Sequence, residues 1–359
     1  MNSENTGPTD PAEEAGTAPL PEGKPPRRGR GGLVRRIGRT VLLTLLLVSV
    51  LAVAGGYWGW ERFTEPGPLN EARSVVVPNG AGVRAIADRL ASAGVIGRPE
   101  IFILAARVTG MHASLKAGEF AFDPAMSQRA VLEKLVSGDT VDRFVTVPEG
   151  LTSMEIVALL RAEPGLSGAI DEVPPDGTLL PETYHYELDA DRAAILERMR
   201  VAMDQTLTGL WETRAPNLPF ENPRQAVTLA SIVEKETGVA GERPMVAGVF
   251  VNRLRRGMRL QSDPTVVYAL TEGAGALGRM LTRRDWKLDH PYNTYQIDGL
   301  PPGPIANPGR AALAAVLDPA ETKALYFVAD GSGGHAFAET LKEHNRNVAK
   351  WRRVRDSAE

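Results

Sequence analysis

The longest apolar segment of the chain lies near its N-terminus. Residues 40–60 read TVLLTLLLVSVLAVAGGYWGW and contain no charged side chain. At a rise of about 1.5 Å per residue, a helix of this length spans the roughly 30 Å hydrocarbon core of a bilayer. Tyr57, Trp58 and Trp60 stand where aromatic side chains collect at a membrane interface. The pattern predicts a single transmembrane helix over residues 39–60.

The segment before this helix has the opposite character. Residues 1–38 are rich in Pro, Gly, Glu, Ser and Thr and contain almost no large apolar side chains. Because such a sequence cannot bury enough apolar surface to offset its conformational entropy, we predict a disordered tail. Its basic residues cluster next to the apolar segment, at Lys24, Arg27, Arg28, Arg30, Arg35, Arg36 and Arg39. By the positive-inside rule, the tail is cytosolic and the body after the helix lies outside the inner (cytoplasmic) membrane.

An apolar segment near an N-terminus has two other interpretations. Ala52-Val53-Ala54 resembles the A-x-A site of a cleaved signal peptide, and a long apolar helix can also form the core of a soluble domain. The length of the preceding tail, the full spanning length and the aromatic end of the segment favour a retained anchor.

Beyond a polar linker over residues 61–73, the spacing of apolar positions predicts a small β-α-α-β module over residues 74–142. Its elements are a strand at 74–77, helices at 82–93 and 99–108, a strand at 118–122, and a further helix capped by Ser127. Modules of this order suit ligand binding, although a simple spacer domain would show the same pattern.

A second region follows over residues 143–359. We predict a strand at 144–147, helices at 153–161 and 191–212, and a helix that begins after Asn222-Pro223 and ends before Gly238. Together with the module, these elements predict an α+β fold.

The helix after Asn222-Pro223 carries a candidate acid. Glu234 and Glu236 are separated by one residue and therefore point to different faces of the helix. Glu236 lies roughly 50° from the apolar direction and Glu234 about 110° from it. Burial and the negative end of the helix dipole both raise the pKa of a carboxyl group placed like Glu236, as a general acid requires. We expect Glu234 to be solvated or paired with a base; the alternative is that both are ordinary surface charges.

Polar and aromatic residues concentrate in irregular segments downstream. These segments are Asn252-Arg253, residues 261–265 (QSDPT), and residues 290–309 (HPYNTYQIDGLPPGPIANPG). Loops made rigid by Pro and Gly that present Tyr, Asn, Gln and Asp are typical of a cleft for a sugar chain. A Pro-rich connection is the alternative, but long irregular segments in compact domains are more often functional.

The composition of the chain excludes several kinds of partner and functional site. The 359 residues include 44 acidic and 41 basic side chains, five His and no Cys, with a net charge of −3. This balance gives no reason to expect a nucleic-acid partner. The lack of Cys excludes disulfides, thiolate zinc sites and a Cys nucleophile, and the five His show no HxxxH or HExxH spacing. We therefore expect no zinc site; His335, in GSGGHAF, is either a cleft residue or a structural one.

Several long motifs occur in an order typical of one family. They are ASIVEKETG, VNRLRRGMRLQSDPTVVYAL, YNTYQIDGLPPGPIANPG and YFVADGSGGHAF. From about Ser74 to the C-terminus, the chain resembles the YceG-like, or MltG-type, endolytic murein transglycosylases. This family also has a single N-terminal anchor and an exported body, although the tail here is longer and richer in Pro than its pattern.

The resemblance implies a LysM-like module beside the membrane and an α+β catalytic domain over residues 143–359 that cleaves nascent peptidoglycan strands. The catalytic Glu of the family corresponds to Glu236, in agreement with the helical-face argument. The same match implies cleft roles for a further set of residues: Gln261, Ser262, Asp263, Tyr292, Asn293 and Tyr295. It implies a reaction that forms 1,6-anhydro-MurNAc ends, without metal or cofactor, and partnership with peptidoglycan synthases.

Two competing functions follow from the same features. One is an anchored glycan-binding scaffold without turnover, which the intact EKET motif disfavours. The other is an aminodeoxychorismate lyase, a label sometimes attached to this family, which would need a Lys–pyridoxal-phosphate imine in the cytosol. The predicted topology places the body on the wrong side of the membrane for that reaction.

Overall fold

The computed structural model describes residues 31–358 of the chain. The predicted disorder of residues 1–30 lies outside this range. The chain divides into two compact units, Met1–Glu65 and Pro66–Glu359.

The described part of the first unit is one helix, α1, over Gly31–Thr64. It is long and apolar enough to cross a membrane, as the sequence predicts. The large apolar side chains of residues 41–60 are exposed, as at Leu42 (67%) and Val53 (73%), instead of packing into a core. This exposure argues against the core helix of a soluble domain.

The helix begins earlier than the sequence pattern indicates. Residues 31–38, which the pattern assigns to the disordered tail, form the first turns of α1. Once a helix is nucleated, each further residue adds one backbone hydrogen bond. No Pro follows Pro26 before the end of α1 to stop this extension.

The second unit begins with the predicted β-α-α-β order. The elements are β1 (Arg73–Val77), α2 (Val83–Ser92), α3 (Pro99–Val108) and β2 (Gly118–Phe122). The two strands pair antiparallel, with Val75 opposite Phe120. Alternate strand residues and one face of each helix are buried together, as at Leu90 and Phe102. The helix α4 (Gln128–Ser137) follows, and Ser127 caps it as predicted by accepting a hydrogen bond from Ala130 N at 3.3 Å.

A group of short strands and two helices comes next. They are β3 (Arg143–Thr146), α5 (Ser153–Ala162), β4 (Leu166–Ser167), β5 (Thr183–Tyr186), β6 (Ala190–Asp191) and α6 (Arg192–Glu212). Strand β3 pairs antiparallel with β5, and β4 pairs parallel with β6. Ile156, Leu160, Leu179 and Met199 fill the core between these elements.

The remaining elements surround a central helix. They are α7 (Pro223–Glu236), α8 (Arg243–Arg255), α9 (Asp263–Thr271), α10 (Arg310–Leu317), β7 (Tyr326–Ala329), β8 (His335–Ala338) and α11 (Leu341–Ala358). Helix α7 contacts α6, α8, α9 and α10, so residues 226–233 are all buried. Strands β7 and β8 form an antiparallel hairpin against α11. All four sheets of the described chain have two strands, consistent with a mixed helix and sheet fold.

A buried amide side chain anchors the end of the long connection between α9 and α10. Asn307 is 0% exposed, and its Oδ1 accepts hydrogen bonds from Gly177 N at 2.9 Å and Leu179 N at 3.0 Å. Its Nδ2 donates to Leu151 O and Ser153 Oγ, both at 3.1 Å. A single side chain therefore joins this connection to the loops around α5, since it satisfies four buried groups at once.

Candidate active site

Glu236 is the last residue of α7 and faces an open cavity. Asn222 and Pro223 start the helix, with Asn222 Oδ1 accepting from Gln225 N at 3.1 Å, and Thr237 ends it. The cavity has a volume of about 450 Å³. Its lining comes from α7, α8, the start of α9, the loops on either side of α9, β7 and α11: Glu236, Arg253, Leu260, Gln261, Asp263, Tyr295, Tyr326, Phe327, Val328, Leu341 and His344.

The environment of Glu236 favours the neutral acid. Burial raises the pKa of its carboxyl group to about 7, a hydrogen bond from Ser262 opposes this shift, and the charge of Asp263 adds to it. Ser262 Oγ donates to Glu236 Oε1 at 2.5 Å, and Ser262 is itself 0% exposed. A carboxyl group with this pKa is about half protonated at neutral pH, so it can both donate and accept a proton.

Asp263 is held by two donors beside the acid. Its Oδ1 accepts from the Tyr295 hydroxyl at 2.8 Å and from Trp286 Nε1 at 2.9 Å. The rings of Tyr295 and Trp286 lie 5.9 Å apart at 31°. Burial, followed by the hydrogen bond to Asp263, raises the pKa of Tyr295, so its hydroxyl remains a donor. These contacts fix Tyr295, which lines the cavity.

Arg253 places a positive charge at the cavity. It is 7% exposed, and backbone carbonyls fix two of its nitrogens. Nε donates to Leu325 O and Nη1 to Leu260 O, both at 2.7 Å. The guanidinium lies 5.3 Å from the centre of the Tyr326 ring. In the part of the chain that the structure describes, Arg253 forms no ion pair with a carboxylate, and its charge opposes the raised pKa of Glu236.

Two further residues of the cavity come from the C-terminal hairpin and helix. The rings of Tyr326 and His344 stack with centroids 5.3 Å apart. Burial and then the charge of Arg253 lower the pKa of His344, which keeps the imidazole neutral. Its buried Nδ1 has no hydrogen-bond partner within the described residues. Tyr326 belongs to the YFVADGSGGHAF motif, whereas no sequence signal marks His344 on the highly charged helix α11.

The backbone beside the acid is unusual at Gln261. This residue has a φ of 51°, a left-handed conformation that non-glycine residues seldom adopt. Thr294 stabilises the conformation, because its carbonyl accepts from Gln261 N at 3.1 Å and its Oγ1 accepts from Ser262 N at 3.0 Å. The turn directs Ser262 toward Glu236 while Gln261 lines the cavity.

Glu234 is paired with a base, as predicted, but it is also buried, with 4% of its side chain exposed. Oε1 accepts from Arg243 Nη2 at 2.8 Å, and Oε2 accepts from Gly309 N at 2.9 Å. Glu149 also accepts from Arg243 Nη2, at 3.0 Å. Glu234 therefore connects α7 to α8 and to the start of α10, instead of facing the cavity.

The structure separates the residues predicted to line the cleft. Gln261, Asp263 and Tyr295 line the same cavity as Glu236. Ser262 is not part of the lining but donates a hydrogen bond to Glu236. Tyr292, in contrast, lines a different cavity.

Asn293 points into the protein and does not line a cleft, contrary to the role that the motif match implies for it. It is 0% exposed, and its Nδ2 donates to Leu288 O at 2.7 Å. Its Oδ1 accepts from Tyr295 N at 3.1 Å. The side chain is turned inward because these backbone groups would otherwise lie buried without partners.

His335, for which the sequence left two roles open, has a structural contact. Its Nδ1 lies 2.7 Å from Glu242 Oε2, and its backbone N donates to Glu242 Oε1 at 2.8 Å. These bonds join β8 to the turn before α8.

The site is thus a polar and aromatic cavity built around one partly protonated carboxylic acid. Within the described residues, the site and the mixed helix and sheet fold are those of a protein with one candidate acid–base residue, Glu236, in a polar cavity. The chain belongs to the YceG-like family, whose sequence model matches residues 75–350.

Two endolytic murein transglycosylases align with most of the chain. It is 31% identical over 336 residues to the endolytic murein transglycosylase of Bacillus subtilis, an alignment that covers 84% of this chain and 91% of the relative. It is 29% identical over 366 residues to the endolytic murein transglycosylase of Streptococcus pneumoniae, covering 87% of this chain. The chain spans 65% of the length of that streptococcal protein.

A crystal structure of a YceG-like protein from Listeria monocytogenes is 30% identical, covering 77% of this chain and 99% of that chain with a TM-score of 0.47.

Proposed function

We propose that this protein is an endolytic murein transglycosylase that cleaves the MurNAc–GlcNAc bond of nascent glycan strands and leaves 1,6-anhydro-MurNAc ends. Such cleavage would terminate glycan polymerisation. The observation that carries the proposal is Glu236, a partly buried acid that lines an open polar cavity and whose pKa is raised to about 7. The names of the relatives support the same activity.

The proposed reaction uses Glu236 twice. Its protonated carboxyl group donates a proton to the glycosidic oxygen, and the bond from C1 of MurNAc to that oxygen breaks. The resulting carboxylate then takes the proton of the MurNAc 6-hydroxyl, whose oxygen forms the new bond to C1. The carboxyl group ends in its starting protonation state, and no water is consumed, so one group near its pKa suffices. A glycoside hydrolase, in contrast, ordinarily uses two carboxyl groups.

Two neighbours stabilise the carboxylate form between these proton transfers. Ser262 Oγ donates to Oε1 of Glu236, and the buried guanidinium of Arg253 supplies positive charge to the same cavity. Both favour the ionised acid, whereas burial favours the neutral one. The balance places the pKa where both proton transfers are accessible near neutral pH.

The proposal extends to location and partners. Arg35, Arg36 and Arg39 lie on the N-terminal side of the apolar stretch, which supports a cytosolic N-terminus and an outer body attached to the inner membrane. The β-α-α-β order of residues 73–122 supports a LysM-like module that binds glycan near the membrane. Nascent strands emerge from peptidoglycan synthases, which makes these enzymes the expected partners.

The direct test incubates the full chain, in detergent micelles, with uncrosslinked glycan strands and measures product masses. We expect fragments with anhydro ends, one water lighter than reducing ends, and we expect Glu236→Gln to abolish them. Glu212→Gln is the matched control, because Glu212 is also the last residue of a helix but is exposed. Reducing ends would identify a hydrolase, and binding without cleavage would leave only the scaffold function.

A further inference from the structure

A second cavity in the same unit has the features of a sugar-binding pocket. Its volume is about 250 Å³. This is below the roughly 300–1,000 Å³ of typical small-molecule sites, which suits one ring of a longer ligand. Its walls come from five places in the chain: the start of α5, the segment at 173–176, the start of α7, the end of α9, and the loop between α9 and α10.

Two tyrosines form the aromatic surface of this cavity. The rings of Tyr268 and Tyr292 lie 4.8 Å apart at 42°. Asp176 fixes Tyr268, because its Oδ2 accepts from the Tyr268 hydroxyl at 2.7 Å while its Oδ1 accepts from Ser153 N at 2.6 Å. Burial and then this hydrogen bond to Asp176 raise the pKa of Tyr268.

Two polar groups at the cavity are free to bind a ligand. Within the described residues, neither the Tyr292 hydroxyl nor the Arg224 guanidinium forms a hydrogen bond or an ion pair. Tyr292 is half-buried, and its hydroxyl is left to bind solvent or a ligand. A phenol, a guanidinium and an aromatic face together match the hydroxyl and acetamido groups and the apolar face of an N-acetylated hexose.

Two glycines keep this cavity open. A Cβ at Gly303 would lie 3.1 Å from the Tyr292 hydroxyl oxygen and 3.5 Å from Arg224 Nη2. A Cβ at Gly273 would lie 3.3 Å from the Tyr268 ring and 3.5 Å from Asp176 Oδ2. Side chains at these two positions would therefore crowd the groups that face the cavity.

The two cavities are joined by shared elements. Arg224 and Glu236 stand at opposite ends of α7, about 18 Å apart at 1.5 Å per residue. Asp263 begins α9 at the acid cavity, and Tyr268 near its other end lines the second cavity. Tyr292 and Tyr295 belong to one loop.

We propose that the cavity of Arg224, Tyr268 and Tyr292 binds an N-acetylated hexose of the same glycan strand, several sugar units from the bond cleaved at Glu236. This inference rests on the proposed function. It makes the protein select long strands over short ones, because only a long strand occupies both cavities.

The test measures binding of labelled glycan strands to the full chain in detergent, with Glu236→Gln present to prevent turnover. Long uncrosslinked strands are compared with a disaccharide, which is too short to reach both cavities. We expect Tyr292→Phe and Arg224→Ala each to weaken long-strand binding by about 3- to 10-fold, as for loss of one hydrogen bond near 1 kcal/mol. Gly303→Ala fills the cavity and should act in the same direction. The disaccharide should bind equally to all variants.

Arg283→Ala is the matched control, because Arg283 is exposed and outside both cavities. Equal weakening of short and long strands would overturn the proposal, since the residues would then act through the acid cavity. No weakening, or no glycan binding at any length, would also overturn it. Formation of anhydro ends by the unsubstituted protein tests the proposed function separately, so the two failures are distinguishable.

Discussion

The hydroxyl of Ser262 offers a direct way to change the acidity of Glu236. It donates the hydrogen bond at 2.5 Å that favours the ionised form of Glu236. A hydrogen bond to a charged group contributes about 1.5–3 kcal/mol, and one pKa unit corresponds to about 1.4 kcal/mol. Ser262→Ala should therefore raise the pKa of Glu236 from about 7 by roughly one to two units.

The assay is the pH dependence of kcat/KM for release of anhydro-ended fragments. The first proton transfer needs protonated Glu236, so activity should fall as the pH rises through its pKa. In Ser262→Ala this fall should move to higher pH by one unit or more, with a lower maximum because the carboxylate is less stabilised. Backbone bonds of Ser262 to Thr294 and Thr265 remain, so the turn should keep its shape.

Ser231→Ala is the matched control for this experiment. Ser231 is also 0% exposed, but its hydroxyl contacts Thr228 O and Ile305 N and not the acid. It should lower the melting temperature without moving the pH profile. A profile for Ser262→Ala that stays in place or moves to lower pH would refute the assigned hydrogen bond and its electrostatic role.

Three further predictions concern stability. The pKa of Glu236 rises from 4.5 to about 7 on folding, so between these pH values the folded state binds more protons than the unfolded state. The free energy of unfolding should therefore fall as the pH rises, by at most about 3 kcal/mol, and Glu236→Gln should remove this dependence in thermal melts from pH 4.5 to 8. Asn307→Ala leaves the buried Gly177 N and Leu179 N without their partner and also removes the bonds to Leu151 O and Ser153 Oγ, so it should lower the free energy of unfolding by about 3 kcal/mol in urea titrations. Asn70→Ala is the control, because Asn70 is exposed, and it should change the free energy of unfolding by close to zero. Glu234→Gln removes the buried charge paired with Arg243 and should lower the free energy of unfolding by about 1–3 kcal/mol, while the folded enzyme keeps much of its activity. Complete loss of turnover in a folded variant would contradict the placement of Glu234 outside the cavity.

Local signals were sufficient for the helices and for the main candidate. Asn222-Pro223 starts α7 and Ser127 caps α4, both as the residue types predict. The position of Glu236 at the edge of an apolar helix face predicts a raised pKa, and burial in the folded protein does raise the pKa of this carboxyl group. These features depend on neighbours within one or two helical turns, which a sequence displays directly.

The irregular segment at 290–309 shows where such reasoning stops. Its composition indicated a cleft, but its Tyr and Asn side chains go to three places: Tyr295 to the acid cavity, Tyr292 to a second cavity and Asn293 into the interior. Without regular periodicity, the direction of each side chain depends on turn geometry and on the buried groups that need partners.

Three features could be predicted from the sequence alone: the apolar spanning segment, the positions of the helices, and the acid at the end of α7. Each depends on residues that lie close together in the chain. Only the tertiary structure decided what surrounds that acid. Ser262 lies 26 positions away from Glu236, and Gly309 lies 75 positions away from Glu234. Such contacts are made by packing of distant elements, and it is packing that sets burial, hydrogen-bond partners and therefore the acidity on which the proposed chemistry depends.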